Sequence, residues 1–221
     1  MCGIVGYIGN KQASGLLVEG LLKLEYRGCD SAGVAIMEDE KISVRKLKGR
    51  LVNLENDLNT NKINGYIWIG HIRWATHWEP SDVNSHIRSN GNATISVVHN
   101  GIIENYIKLR EWLTAKGYEF LSEIDTGVIP NLVDYYYRDV RNIFEDIVKA
   151  TSKLEGSFAI GVIVNNEQDK IIAVRKDSPF IVGLGEDESF IASDILAVLN
   201  LLRKNYKNML ISIITIEIYT S

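Results

Sequence analysis

The sequence predicts a layered arrangement of α-helices and β-sheets, and three observations carry that expectation. Short runs rich in Ile, Val and aromatic residues recur along the chain, each bounded by turn residues, as strands are. Longer stretches repeat apolar side chains at helical spacing. Several strand-like runs, Phe158-Ala159-Ile160-Gly161-Val162-Ile163-Val164 above all, are apolar on both faces, so their sheet must be covered above and below.

In chain order, Gly3 to Ile8 reads as a strand, followed by a helix between Lys11 and Tyr26, where Leu17, Leu21 and Leu24 share a face. Strands follow at Gly33 to Met37, Ile42 to Leu47, Tyr66 to Ile72 and Ala93 to His99. Helical spacing returns from Asn105 to Lys116, Val128 to Tyr137 and Ile143 to Leu154, and strands again at Ser157 to Val164, Lys170 to Arg175 and Ser189 to Ala192. Gly183-Leu184-Gly185 has neither a following Gly nor a P-loop Lys and reads as a turn. The stretch from Thr76 to Asn92 shows neither periodicity, and a loop that long inside a domain is usually functional. In the segment Asn205 to Ser221, Leu210, Ser212, Ile214, Ile216 and Ile218 share one parity, which predicts a final β-strand that would be an aggregation hazard if exposed.

The balance of 46% hydrophobic and 24% charged residues in a chain of 221 is that of a globular protein with a large core. A net charge of −4 gives no electrostatic footprint for nucleic acid or an anionic membrane. Only Cys2 and Cys29 are present, which excludes a disulfide framework and a four-cysteine zinc site and points to the reducing cytoplasm. No apolar stretch approaches the roughly 18 residues of a membrane span, and no basic leader precedes Gly3 to Ile8, so the chain is expected to begin at its own start. With only three prolines and no low-complexity run to mark a linker, residues 2–221 are expected to form one domain.

Cys2 is the first candidate for chemistry. Cytosolic processing generally removes Met1 ahead of a small side chain, which would leave Cys2 with a free α-amine of pKa about 7.7 to 8.0 beside its thiol, base and nucleophile in one residue. From position alone, a cysteine that merely follows the initiator is the simpler reading. Asn100-Gly101 is a strong hairpin-turn signal, and equally a pair of donors that could face a developing oxyanion. Arg73 offers a planar fork for a carboxylate, although an Arg at a strand end is more often a solvated rim residue. Asp125 would serve as the N-cap of the following helix, or could hold an ammonium group. The spacings of His71, His77, His86 and His99 match no zinc pattern, and no metal or cofactor is expected.

Taken together, Cys2-Gly3-Ile4-Val5-Gly6-Tyr7-Ile8-Gly9, Leu24-Glu25-Tyr26-Arg27-Gly28, Asp30-Ser31-Ala32-Gly33, Gly70-His71-Ile72-Arg73-Trp74-Ala75-Thr76-His77 and Val98-His99-Asn100-Gly101-Ile102-Ile103-Glu104-Asn105 resemble the glutamine amidotransferase domain of the N-terminal-nucleophile hydrolase superfamily. Ser122-Glu123-Ile124-Asp125-Thr126, Leu154-Glu155-Gly156-Ser157-Phe158-Ala159, Ser178-Pro179 and Phe190-Ile191-Ala192-Ser193-Asp194 continue the likeness to about residue 200. It fits best the branch that aminates fructose-6-phosphate, with the amidophosphoribosyltransferase branch second.

The resemblance implies an α+β fold, a four-layer αββα sandwich. It implies that processed Cys2 attacks the side-chain amide of L-glutamine, releasing ammonia and then glutamate through a thioester. Carried over residue by residue, the Cys2 α-amine is the base, Asn100 and Gly101 form the oxyanion hole, Arg73 grips the α-carboxylate and Asp125 holds the α-amino group. Trp74, Thr76, His77 and His86 fall at pocket or loop positions. The chain is too short to hold also the fructose-6-phosphate-binding isomerase half, so its ammonia would escape to solvent or need a partner chain to use it; a homo-oligomer stays open. Ile72 and Ile124 stand where the family pattern has Thr, Trp78 where it has Gly, Arg88 where it has His, Gly127 where it has Glu and Cys29 where it has Tyr. An altered pocket follows from these departures, and a module that binds glutamine or a partner without turnover is the competing reading. From Asn205 onward the chain leaves the family pattern.

Overall fold

On β1 (Gly3–Ile8) the pleat sends Val5 and Tyr7 to one face and Ile4 to the other, and all three are completely buried. A strand apolar on both sides needs cover on both sides, and a computed structural model of the chain shows what supplies it. The structure describes residues 2–74, 87–120, 124–137, 142–205 and 210–212.

Two sheets pack face to face. The first contains β1, β2 (Ser31–Glu38), β3 (Lys41–Lys48), β4 (Ile67–Arg73), β9 (Ile181–Leu184), β10 (Ser189–Ala192) and β11 (Leu210–Ser212), in the order β11-β9-β10-β1-β4-β2-β3. The second contains β5 (Arg88–Ser89), β6 (Ile95–Gly101), β7 (Phe158–Val164) and β8 (Ile172–Lys176), in that order. Every ladder is antiparallel. Between the sheets lies a dry layer that includes Ile4, Ile67, Ile69, Val98, Ala159, Ile163 and Ile191.

Helices cover the outer faces. α1 (Ala13–Leu22), α2 (Leu51–Thr60) and α6 (Leu196–Asn205) lie on the first sheet, where Leu17, Leu21, Leu54 and Val198 meet Val5, Val34, Trp68 and Phe190. Tyr7 stacks on Trp68 with ring centroids 5.8 Å apart and tilts against Phe190 at 5.1 Å, so three aromatic rings fill the space under these helices. α3 (Tyr106–Ala115), α4 (Val128–Tyr137) and α5 (Ile143–Thr151) cover the second sheet, with Leu113, Leu132 and Ile147 against Val97, Phe158 and Ile160. The result is the four-layer αββα sandwich that the resemblance implied.

Where the structure departs from the local sequence signals, pairing explains why. Asn100 and Gly101 are not a hairpin turn: they are the last two residues of β6, opposite Ala159 and Phe158. Gly183 and Leu184 belong to β9, because their backbone is taken up by ladders to β10 and β11. α2 carries Leu51, Leu54 and Leu58 on its buried face, a helical spacing diluted by Asn53, Asn56, Asp57 and Asn59. The predicted C-terminal strand is present as β11; the rest of that tail lies outside the described residues. Among the described residues no helix is long and apolar enough to cross a membrane.

The layer assignment of α2 is testable with one pair of variants. Leu54 is fully buried, whereas Val52 on the same helix is 47% exposed. Urea unfolding should show Leu54→Ala destabilised by about 2–5 kcal/mol and Val52→Ala changed by no more than about 0.5 kcal/mol.

Candidate active site

Register brings the candidate residues to one end of the sandwich. β1 runs antiparallel to β4, with Gly3 opposite Ile72, so the residue before β1 meets the residues after β4. Cys2 accordingly lies beside Trp74, its Sγ donating to the Trp74 carbonyl at 4.0 Å. On its other flank β1 is extended by Ser193, which follows β10: Ile4 N–H donates to Ser193 Oγ at 3.0 Å and Ser193 N–H to the Ile4 carbonyl at 3.0 Å.

The second sheet contributes the end of β6. Asn100 donates from Nδ2 to the Cys2 carbonyl at 3.4 Å, which fixes the amide within reach of the thiol's residue. Gly101 has φ +124°, and a Cβ there would run into the Ser157 carbonyl, so only glycine fits beside β7. A pocket of about 290 Å³ opens here, lined by Cys2, Arg27, Trp74, Asn100, Gly101, Ser178, Pro179 and Ser193.

Trp74 is half exposed, and its ring covers Gly28, where φ is +97° and a Cβ would strike the indole. Arg27 is held on the pocket wall by an ion pair with Asp194, whose other oxygen accepts the Leu196 N–H at the start of α6 at 2.9 Å. The sequence singled out neither Arg27 nor Ser193 for chemistry; both lay inside blocks that carried the resemblance, and only strand pairing places them on the pocket wall.

Arg73 is not a solvated rim residue but 6% exposed, at the end of β4. Asp125 opens a 3-10 turn (Asp125–Gly127) rather than capping α4, which begins at Val128. Its Oδ2 accepts from Ile103 N–H at 2.9 Å and its Oδ1 from Thr126 N–H at 2.7 Å, tying the segment after β6 to the start of α4. Neither Arg73 nor Asp125 lines the pocket. Both are close enough to Arg88, also 6% exposed, for its guanidinium to feel their charges. Burial pushes the Arg88 guanidinium down to about 10, Arg73 adds to that fall, and Asp125 opposes it. Thr76, His77 and His86 lie outside the described residues, as does Trp78.

Burial also raises the Cys2 thiol above the ordinary cysteine value, with its bond to the Trp74 carbonyl and, less strongly, the positive charge of Arg73 opposing. A thiol so placed is protonated at rest and needs a base at the moment of attack. His71, fully buried on β4, points inward between the sheets and contacts Asn100. Burial drives its imidazole down to about 3, with the bond to Asn100 opposing, so it is neutral at every physiological pH.

A sequence profile described as "Glutamine amidotransferase domain" matches residues 73–200. The chain belongs to this family. This amidotransferase domain is 66% identical over 206 residues to the glutamine--fructose-6-phosphate aminotransferase (isomerizing) of Clostridium tetani, covering 93% of the chain and 34% of that protein. It is 65% identical over 206 residues to the enzyme of the same name from Clostridium acetobutylicum, again covering 34% of it. The chain thus spans about one third of the length of the curated relatives it matches.

Among solved structures, the allosteric regulatory enzyme of purine biosynthesis superposes with a TM-score of 0.80 at 24% identity, over 95% of this chain and 45% of that one. Glutamine phosphoribosylpyrophosphate amidotransferase from B. subtilis gives 0.77 at 23%, over 98% of this chain and 50% of its own. These two establish the shared fold. The far higher identity to the fructose-6-phosphate enzymes agrees with the branch that the sequence motifs favoured.

Folding holds His71 neutral down to about pH 3, whereas in the unfolded chain its pKa is about 6.5. The unfolded state therefore binds the extra proton in that window, and the stability tied to the neutral ring is complete above about pH 6.5 and is lost as pH falls. Urea unfolding at intervals between pH 7 and pH 4.5 should show a slope shallower in His71→Gln than in wild type, by about 0.3 kcal/mol per pH unit at pH 7 rising to about 1.4 well below pH 6.5.

Proposed function

We propose that this chain hydrolyses L-glutamine to glutamate and ammonia through a thioester on Cys2, as the ammonia-supplying part of a fructose-6-phosphate aminotransferase. The observation that carries the reading is the placement of Cys2 at the lip of the pocket, directly beside the Asn100 amide. A half-buried neutral thiol is a poor resting nucleophile, and the oriented amide donor beside it is suited to stabilising an oxyanion.

In this scheme Met1 is removed and the freed α-amine of Cys2 takes the thiol proton. The thiolate then attacks the side-chain amide carbon of glutamine. Negative charge moves to the amide oxygen, where Asn100 Nδ2 and the Gly101 N–H receive it. The intermediate collapses as the α-ammonium returns its proton to the departing nitrogen, and ammonia leaves. Water, deprotonated by the same amine, attacks the thioester carbonyl, releasing glutamate and regenerating the thiol.

Arg73 is proposed for the α-carboxylate of the substrate and Asp125 for its α-ammonium, a pairing suited to an amino acid with two opposite charges at one end. Both Asp125 oxygens already accept backbone N–H groups, so its carboxylate is fixed in place before substrate arrives. Trp74, Thr76, His77 and His86 complete the pocket in this reading. The acceptor of the ammonia is proposed to be a fructose-6-phosphate-binding isomerase half, corresponding to the two thirds of the relatives' length that this chain does not span.

Correctly processed protein should release glutamate from glutamine, measured alongside intact mass to verify loss of Met1, and Cys2→Ala should show none above the uncatalysed background. Arg73→Ala should raise KM for glutamine about 10- to 100-fold, the loss expected for a charge-assisted bidentate contact. Equal glutamate release by wild type and Cys2→Ala would replace this reading with that of a binding module.

A further inference from the structure

An asparagine side chain can serve an oxyanion hole only if its amide is turned the right way round. Oδ1 and Nδ2 have nearly the same shape, and one half-turn about the last side-chain bond exchanges a donor for an acceptor. The neighbours must therefore decide which atom faces the thiol. Two neighbours do so, the Cys2 main-chain carbonyl on one side and His71 on the other.

His71 Nε2 lies 3.1 Å from the main-chain carbonyl oxygen of His99 and 3.1 Å from Asn100 Oδ1. A main-chain carbonyl oxygen can only accept, so Nε2 must carry the hydrogen. Once it does, the Asn100 atom facing it must also be an acceptor, because the flipped amide would set NH₂ against N–H. With Oδ1 held there, Nδ2 is sent to the opposite side, where it donates to the Cys2 carbonyl. We infer that His71, as an Nε2–H donor, is the positioning residue that holds the Asn100 amide with its NH₂ on the Cys2 side, where it can donate to the developing oxyanion.

The imidazole is well braced for this task. His71 sits in the middle of the first sheet, opposite Ile4 on β1 and Gly33 on β2, so neighbouring strands pair with its backbone on both sides. Its ring reaches across the gap to β6 of the second sheet, making the bond to Asn100 a cross-link between the two halves of the sandwich. Burial keeps the ring uncharged, so its protonation does not vary over the working pH range. His99, whose carbonyl shares the same hydrogen, is itself anchored from Nδ1 to Thr126 Oγ1 at 2.8 Å.

This inference rests on the proposed role of Asn100, and the experiment separates the two. Imidazole ¹⁵N NMR of the full chain should show His71 Nε2 as the protonated ring nitrogen; an unprotonated Nε2 overturns the inference without any variant being made. In glutaminase assays, removing an oxyanion donor typically lowers kcat by about 10²- to 10³-fold, which sets the expectation for Asn100→Ala. His71→Leu, which leaves the amide held only by its bond to the Cys2 carbonyl, should lower kcat by about 10- to 100-fold with KM within about twofold. His71→Gln, which can place an NH₂ near the Nε2 position, should recover most of that loss. The double variant His71→Leu/Asn100→Ala should be no slower than Asn100→Ala alone.

Alkylation of Cys2 by iodoacetamide, followed by peptide mapping, supplies the structural control. That displacement transfers the thiolate to a saturated carbon with loss of iodide and forms no oxyanion, so its rate in His71→Leu should stay within about twofold of wild type. A parallel collapse of alkylation and hydrolysis would make His71 merely structural and overturn the inference. Wild-type kcat in His71→Leu together with a normal loss in Asn100→Ala overturns the positioning role alone. Full turnover in Asn100→Ala removes the oxyanion assignment, and the inference with it.

Discussion

Cys2 precedes β1, and where β1 places it depends on how that strand is paired. The ladder that sets Gly3 against Ile72 and Ile4 against His71 does two things at once. It brings the start of the chain beside Trp74, and it turns His71 toward the second sheet. A slip of one residue would reverse every side chain of β1, sending Ile4 under the helices and Val5 and Tyr7 into the gap between the sheets. Such a slip is prevented by burial on both faces, since Val5 and Tyr7 fit the helix-covered side and Ile4 the inter-sheet layer.

Polar chemistry at the end of such a sandwich must be built from groups that satisfy one another, because buried polar atoms without partners cost about 1–3 kcal/mol each. The arrangement around Asn100 meets that demand. Its oxygen accepts from His71 and its nitrogen donates to Cys2, while Asp125 accepts the backbone N–H groups of Ile103 and Thr126. These bonds run between the first sheet, the second sheet and the start of α4, so the packing that holds the layers together also aims the site.

Much of the fold was legible because it obeys periodicity. β1 and β7 are continuous apolar runs, and α5 repeats its buried positions Ile143, Asp146, Ile147, Ala150 and Thr151 at helical spacing, so each declared itself. The sequence signals neither α6 nor three weaker elements: β5 is two residues long, β9 contains a glycine, and α2 mixes its three buried leucines with asparagines. Asn100-Gly101 shows a local signal pointing the wrong way. The dipeptide favours a turn in isolation, yet pairing with Ala159 and Phe158 draws it into a strand. Arg73 is similar, since a residue at a strand end looks exposed in the sequence, whereas in the fold it is 6% exposed.

By itself the sequence determined the element types, the two-sided burial and, through its ordered motifs, the family, because these depend on residue identity and on spacing within short stretches. Tertiary structure alone decided that Arg27 and Ser193 share a pocket with Cys2, that Arg73 and Arg88 are buried together, and that the imidazole of His71 meets the amide of Asn100. Those relations join residues far apart in the chain, and they arise from strand register and sheet-on-sheet packing, which no local pattern encodes.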